Sequence, residues 1–331
     1  MIVVDGSFGE GGGSILRQSI CFSLILKKPF RIVNIRKNRS KPGLSHQHLK
    51  SLELAKELTN SKVTGLYLGS NEVEFFPGNK FKSNIEVDIK TAGSAILALQ
   101  SVFLPCILSG KQITITLKGG TDVPFSPGFD YFNNIFLSFF KDYGVKAKLL
   151  ERGYYPKGQG EIKVFFKKNN FSSISLDYVQ RGKLVKCTGI SHSSKGLSSL
   201  NICEEQSKLS KIFVNEDLII NNFYSDSKSD DHGLFLGATF SNFKVGICDV
   251  SAKNKSVNLL VKSISDDFNK LLSSEGLDQF MSDQIIPYLT VCKGKVLCSK
   301  VTDHVKSNLY VANLFSDKTK LKIEKNLITA S

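Results

Sequence analysis

The chain offers little from which a metal centre or a disulfide framework could be built. Its seven cysteines, at 21, 106, 187, 203, 248, 292 and 298, form no Cys-x-x-Cys pair and are odd in number. That argues against a zinc ribbon and against a complete disulfide scaffold, and it fits a reducing compartment. Five histidines, at 46, 48, 192, 232 and 304, show no His-Glu-x-x-His spacing, so a zinc enzyme is not indicated. No stretch approaches the ~18 uninterrupted apolar residues of a membrane span. The opening MIVVDGSFGEGG lacks the basic flank and apolar run of a signal peptide. The expectation is an intracellular, cytoplasmic protein with no membrane partner. Acidic residues are also scarce: 30 against 44 Lys and Arg, for a net charge of +14. Such a surplus suits an extended anionic partner, although a generally lysine-rich surface would give the same sum.

What is present is enough for a folded protein of two or three units, with 331 residues of which 41% are hydrophobic. Apolar periodicity predicts a strand at 2–4, a helix at 15–26, a strand at 30–35, a helix at 48–58 and strands at 63–68 and 72–76. That βαβαββ order recurs at 85–89, 95–108, 112–117, 131–143, 146–150 and 161–166. A third copy opens with strands at 174–178 and 184–190, but its helices and remaining strands come only at 279–291, 296–300, 306–314 and 320–324. The intervening stretch has its own alternation, with helices at 202–213 and 257–272 and strands at 218–223, 234–239 and 244–250. The predicted architecture is therefore α/β (α+β): three βαβαββ repeats (about 1–80, 81–168, and 169–180 with 273–331), with a small α/β domain, 181–272, inserted in the third.

Strand-to-helix joints collect polar groups because free N–H groups and the positive helix end favour anions there. The three repeats supply comparable joints: NIRKNRSKPGLSHQH, KGGTDVPFSPG and SKVTDHVKSN. The segment 27–50 holds eight Lys or Arg and no acid, so it forms a basic patch unless partners come from elsewhere. Arg36 and Arg39 can present planar forks to phosphate oxygens, with Gln47 and His48 at the next helix start. The first loop, DGSFGEGGGS, leads into a helix without the closing Gly-Lys-Ser/Thr of a P-loop. Within it Glu10 is either a metal-binding carboxylate beside a phosphate site or simply an acid favoured by the helix dipole. His304 lies at the third joint beside Asp303, where a reactive and a structural histidine are both open readings.

The ordered segments DGSFGEGGGSILRQ, NIRKNRSKPGLSHQHL, TAGSAILALQ, GGTDVPFSPGFDY, RGYYPKGQGE, FMSDQIIPYL and TDHVKSN resemble the RNA 3′-terminal phosphate cyclase family across nearly the whole chain outside the insert. The resemblance implies ATP-dependent conversion of an RNA 3′-phosphate to a 2′,3′-cyclic phosphate through an adenylyl-histidine, with ATP, Mg²⁺ or Mn²⁺, and RNA ending in a 3′-phosphate. It implies His304 as nucleophile and Glu10 as the acid near the metal. Arg17, Arg36, Arg39, Gln47 and His48 are implied at the phosphates and RNA end. Gln100, Pro127, Phe280, Asp283 and Gln284 are implied for ATP, with Pro127 and Phe280 sandwiching adenine. Phe280 stands where relatives often have tyrosine, Ser14 where they have glutamine and Ser307 where they have threonine. A non-catalytic cyclase-like protein of ribosomal RNA processing is the alternative, which retention of His304 with Glu10, Arg17 and Arg39 opposes. An enolpyruvyl-transferase-like enzyme or a plain RNA-binding module is more distant. Neither an oligomeric state nor the insert's role is assigned by the sequence.

Overall fold

A computed structural model describes residues 1–170 and 176–330. The chain begins β1 (Ile2–Asp5), α1 (Gly13–Leu26), β2 (Phe30–Val33), α2 (His46–Thr59), β3 (Lys62–Thr64) and β4 (Val73–Phe76). β1 and β2 are parallel, β4 is antiparallel to both β2 and β3, and the sheet order is β1-β2-β4-β3. The same pattern follows in β5 (Asn84–Asp88), α3 (Ala95–Leu108), β6 (Ile113–Gly119), α4 (Phe129–Asn134), a 3₁₀ segment Phe136–Tyr143, β7 (Lys146–Glu151) and β8 (Gly160–Phe166), with order β5-β6-β8-β7.

The chain continues through β9 (Leu176–Tyr178), β10 (Leu184–Ser194), α5 (Ile202–Phe213), β11 (Leu218–Ser225), β12 (His232–Phe240), β13 (Lys244–Val250) and α6 (Val257–Leu272). It closes with α7 (Gln279–Gln284), α8 (Ile286–Cys292), β14 (Gly294–Leu297), α9 (Asp303–Phe315), β15 (Leu321–Glu324) and β16 (Leu327–Ala330). β9 joins β14, β16 and β15 in a third sheet of the same order, while β11-β10-β12-β13 form a separate sheet.

Several sequence expectations are corrected by the pairing. The strand at 184–190 does not open the third repeat: β10 pairs with β11 and β12. Alternation marks a strand but not its neighbour. Of the strand expected at 174–178, the first two residues lie outside those described. The strand expected at 63–68 ends at Thr64, where Gly65 takes φ +71° and a side chain there would meet the Glu72 carbonyl at 2.3 Å. The helix expected at 279–291 is two helices. Pro287 has no N–H to give the Asp283 carbonyl, which instead accepts from Asn308 Nδ2 at 3.0 Å. The helix expected at 131–143 is likewise broken after Asn134, with Phe140 at non-helical φ −121°. β16 was not expected.

β6 shows why these segments fold as they do. In ITITLKG, Ile113, Ile115 and Leu117 are fully buried, while Thr114, Thr116 and Lys118 alternate outward. α3, AILALQSVFLPCIL, is apolar nearly all round and so must be enclosed; it packs against α1 and α2, and α1 packs in turn on α9. Its Phe103 is ringed by Phe132, Phe136, Phe140 and Phe166 at 5.0–6.1 Å between ring centroids.

Two buried polar clusters tie the β10–β13 sheet to the rest. Arg152 bridges Asp122 at 2.8 Å and Asp130 at 3.0 Å, beside His192 of β10, whose Nδ1 meets the Tyr154 hydroxyl at 2.8 Å. Asp278 caps α7 by accepting from the Phe280 and Met281 N–H groups, and it also accepts from the Tyr131 hydroxyl at 2.6 Å and from Gly246 N–H in β13 at 3.0 Å. One carboxylate thus fixes the segment that carries Phe280, Asp283 and Gln284.

Candidate active site

Three helix starts converge. α1 and α9 are packed together, and the loop from β1 to α1 brings Glu10 against the first turn of α9, where His304 is the second residue. His304 Nδ1 lies 2.6 Å from Glu10 Oε1, and Glu10 Oε2 accepts from Arg39 Nη2 at 3.0 Å. The Nδ1 approach is close without being an aligned hydrogen bond, since neither atom has a partner by geometry. The Thr302 side chain caps α9 by accepting from Val305 N–H, which leaves other first-turn N–H groups free to favour negative charge. Burial lowers the His304 pKa below the ordinary imidazole value; Arg17 and Arg39 add to that, while Glu10 and Asp303 oppose it. His304 is therefore neutral at pH 7, and Glu10 beside Nδ1 favours the tautomer with its lone pair on Nε2.

Behind this pair sits a second acid–base couple. Arg17 on α1 makes no ion pair within 4 Å among the described residues; burial pulls its pKa down to about 10 against the pull of Asp283 and Glu10. Burial also pushes Asp283 up to about 8, opposed by Arg17 and reinforced by Asp278 and Glu10. Asp283 is thus largely protonated at neutral pH and can donate as well as accept. Arg17 is the fifth residue of α1 and Asp283 the fifth of α7, so equivalent places in two repeats face one another.

The sixth residues repeat this symmetry with all three members: Gln18, Gln100 and Gln284 are each the sixth residue of α1, α3 and α7. All three line one small cavity with Tyr288. Gln18 was not anticipated, yet aligning the three helix starts would have exposed it. Unpartnered buried polar atoms collect around these helices: Ser14 Oγ, Gln18 Oε1, Gln100 Nε2, Ser307 Oγ and Asn308 Oδ1. Buried polar atoms are ordinarily satisfied, so a cluster of exceptions marks a place shaped for something other than protein.

The first joint holds Arg36, Gln47 and His48. Arg36, at φ +54°, donates to the Gly43 carbonyl at 3.0 Å, and Gln47 Oε1 accepts the Ser94 N–H at 2.9 Å. His48 is buried, with Nδ1 2.7 Å from Ser45 Oγ. Burial, with Arg17 and Arg36 nearby, lowers its pKa to about 3. Its Nε2 faces Gly13 so closely that a methyl group there would sit 1.9 Å away. The basic stretch does find acids elsewhere: Lys28 pairs with Asp317, Arg31 with Glu72, Arg39 with Glu10 and Lys50 with Glu53. Half of its eight cations are thereby neutralised.

Phe280 packs edge-on against Tyr131 of α4 at 5.1 Å. Pro127 is buried just ahead of Gly128, the residue that caps α4. Phe280 and Gln47 both line a cleft of about 830 Å³ that runs between the 123–126 loop and the β13–α6 segment. For a divalent cation the donor set offers one carboxylate, Glu10, whose Oε1 has no aligned partner. That suits Mg²⁺ or Mn²⁺, which are commonly held by one or two carboxylates together with substrate phosphates.

The family model described as RNA 3′-terminal phosphate cyclase matches residues 8–322. A Sulfurisphaera tokodaii protein named RNA 3′-terminal phosphate cyclase is 40% identical, covering 95% of this chain and 94% of its own. Proteins of that name from Archaeoglobus fulgidus, 36% identical over 99% of each chain, and Pyrococcus abyssi, 35% identical over 96% and 94%, are similar throughout.

Proposed function

The chain belongs to the RNA 3′-terminal phosphate cyclase family, and on that premise we propose that it uses ATP to convert an RNA 3′-phosphate into a 2′,3′-cyclic phosphate, with His304 as the nucleophile. The observation that carries this reading is the 2.6 Å approach of Glu10 to His304 Nδ1 beside Arg17 and Arg39.

In the proposed first step, neutral His304 attacks the α-phosphorus of ATP through Nε2. A phosphorus–nitrogen bond forms, the bond to the bridging oxygen breaks and pyrophosphate leaves. The imidazole gains positive charge as it attacks, and Glu10 stabilises that charge. Arg17, Arg36 and Arg39 balance the phosphoryl oxygens, and the free N–H groups of the first turn of α9 face the same charge. AMP then passes to the RNA 3′-phosphate, which restores neutral His304. The neighbouring 2′-hydroxyl attacks that phosphate, releasing AMP and closing the ring. Glu10 would hold Mg²⁺ or Mn²⁺ with the phosphates, where the cation supplies positive charge.

For the nucleotide, Phe280 offers an apolar face to adenine at the cleft; the resemblance pairs it with Pro127, which is buried beside the cleft, and gives Asp283, Gln284 and Gln100 as polar partners. In this reading Gln47 and His48 contact the RNA end, His48 as a neutral imidazole. Cysteines that form no Cys-x-x-Cys pair suit a reducing, cytoplasmic setting.

The test is incubation of wild type and His304→Ala with α-labelled ATP and Mg²⁺ or Mn²⁺, without RNA. Acid-labile label on wild type alone is expected. No label on either would favour a non-catalytic RNA-binding role.

A further inference from the structure

The mechanism above makes no use of the outer part of the 830 Å³ cleft, nor of the β10–β13 sheet that walls it. The Phe125 side chain is wholly exposed, and its backbone sits at φ +62°, a conformation rare for a non-glycine residue. A large ring held in water by a loop bracketed with Pro124 and Pro127 is not a packing residue. Tyr155, 51% exposed, lines the same cleft, and the inner end is lined by Phe280 and Gln47. The opposite wall is the loop from β13 to α6, which brings Lys255 to the cleft and exposes Lys253 beside it. Lys255 pairs with Asp249, whereas Lys253 has no acidic partner within 4 Å among the described residues.

The two acids that line the cleft, Asp249 and Asp267, are each paired, with Lys255 and Lys270, so exposed aromatic rings beside Lys253, in a chain of net charge +14, supply the elements of a single-strand nucleic-acid groove, in which bases stack on the rings and cations follow the backbone. A protein partner would be better matched by an apolar patch free of lysines. At about 830 Å³ the cleft lies high in the range of roughly 300–1,000 Å³ that serves small ligands, which leaves room beside a nucleotide seated at Phe280. An RNA that presents its 3′ end to the site can leave it only through its 5′ neighbours, and the cleft is continuous with the site through Gln47 and Phe280.

We propose that Phe125, with Tyr155, is the stacking platform for the unpaired bases immediately 5′ of the RNA terminal nucleotide, and that the β13–α6 loop, through Lys253, holds their backbone. This rests on the reading of the site as one for an RNA end.

The full chain is assayed with a short single-stranded RNA bearing a 3′-phosphate and 2-aminopurine at the penultimate position. Phe125→Ala removes only exposed atoms, so adenylylation by ATP alone should stay within about twofold. The RNA KM should rise by about 5- to 150-fold, the range that one lost base stack corresponds to, with kcat little changed. Phe125→Tyr should restore KM. Lys253→Ala should weaken RNA binding and flatten its salt dependence by about one ion. Binding without ATP should quench 2-aminopurine in wild type but not in Phe125→Ala. An unchanged KM and unchanged quenching in Phe125→Ala would overturn the proposal. Failure of wild type to adenylylate while the Phe125-dependent quench persists would instead overturn the catalytic reading and leave the platform standing.

Discussion

Glu10→Gln is the most informative single change in the site. The substitution keeps the shape of the side chain and removes a charge that lies 2.6 Å from His304 Nδ1 and 3.0 Å from Arg39. The ground state loses little, because His304 is neutral. As Nε2 bonds to phosphorus the ring becomes cationic, and an anion at this distance then counts. Two unit charges ~4 Å apart interact by about 1 kcal/mol in bulk water and about 4 kcal/mol at the effective dielectric of a protein surface. Glu10 and His304 side chains are 30% and 45% exposed, so the value discounted for solvent is about 2–3 kcal/mol. Adenylylation should slow by roughly 30- to 150-fold.

The pH profile supplies an independent sign. The nucleophile must be neutral, so activity is lost as pH falls through the lowered pKa of His304. Glu10 raises that pKa, so its neutralisation should move the acid limb to still lower pH even as the plateau drops. Single-turnover adenylylation with labelled ATP, measured from pH 4.5 to 8 in saturating metal, reads both quantities. A rate within threefold of wild type, or a limb displaced upward, would refute this account of Glu10.

Three further outcomes follow from buried contacts. His48 is buried with its pKa lowered to about 3, so the unfolded chain takes up a proton near pH 6.5 that the folded chain refuses. Stability should fall as pH drops below 6.5, by about 2 kcal/mol at pH 5 from this residue, and urea titrations should show a smaller loss in His48→Gln. Gly13→Ala places a methyl group 1.9 Å from His48 Nε2; despite a helix-propensity gain of up to about 1 kcal/mol, overpacking should destabilise by about 1–3 kcal/mol. Pairing it with His48→Ala should cost less than the sum of the two single changes, and strict additivity would count against the contact. Asp278→Ala leaves Tyr131, Gly246 and the start of α7 without their acceptor, so a loss of about 3 kcal/mol or more is expected. Asp278→Asn should recover part of it in thermal melts.

The repeats were legible because their signals are local. Alternation in ITITLKG and helical spacing in AILALQSVFLPCIL need only neighbours a few residues away, and the glycine-rich and basic joints stood out on composition alone. The ordered motifs carried the family. Breaks inside elements were harder. Pro287 was visible, but that its helix would split there depended on Asn308 being at hand to take the freed Asp283 carbonyl.

Pairing was not legible. β10 has the pattern of any strand, and only the tertiary structure gave it to the β11-β10-β12-β13 sheet. Of the acids that neutralise half of the basic stretch, Glu53 is a near neighbour of Lys50, but Glu10, Glu72 and Asp317 come from other segments. Most element types, the joint residues and the charge could be read from the chain alone, because these follow from backbone propensity and composition. The contact of Glu10 with His304, the nearness of Arg17 to Asp283, and the meeting of three glutamines arose only when the helices packed, because they join residues far apart in the chain whose proximity no local rule encodes.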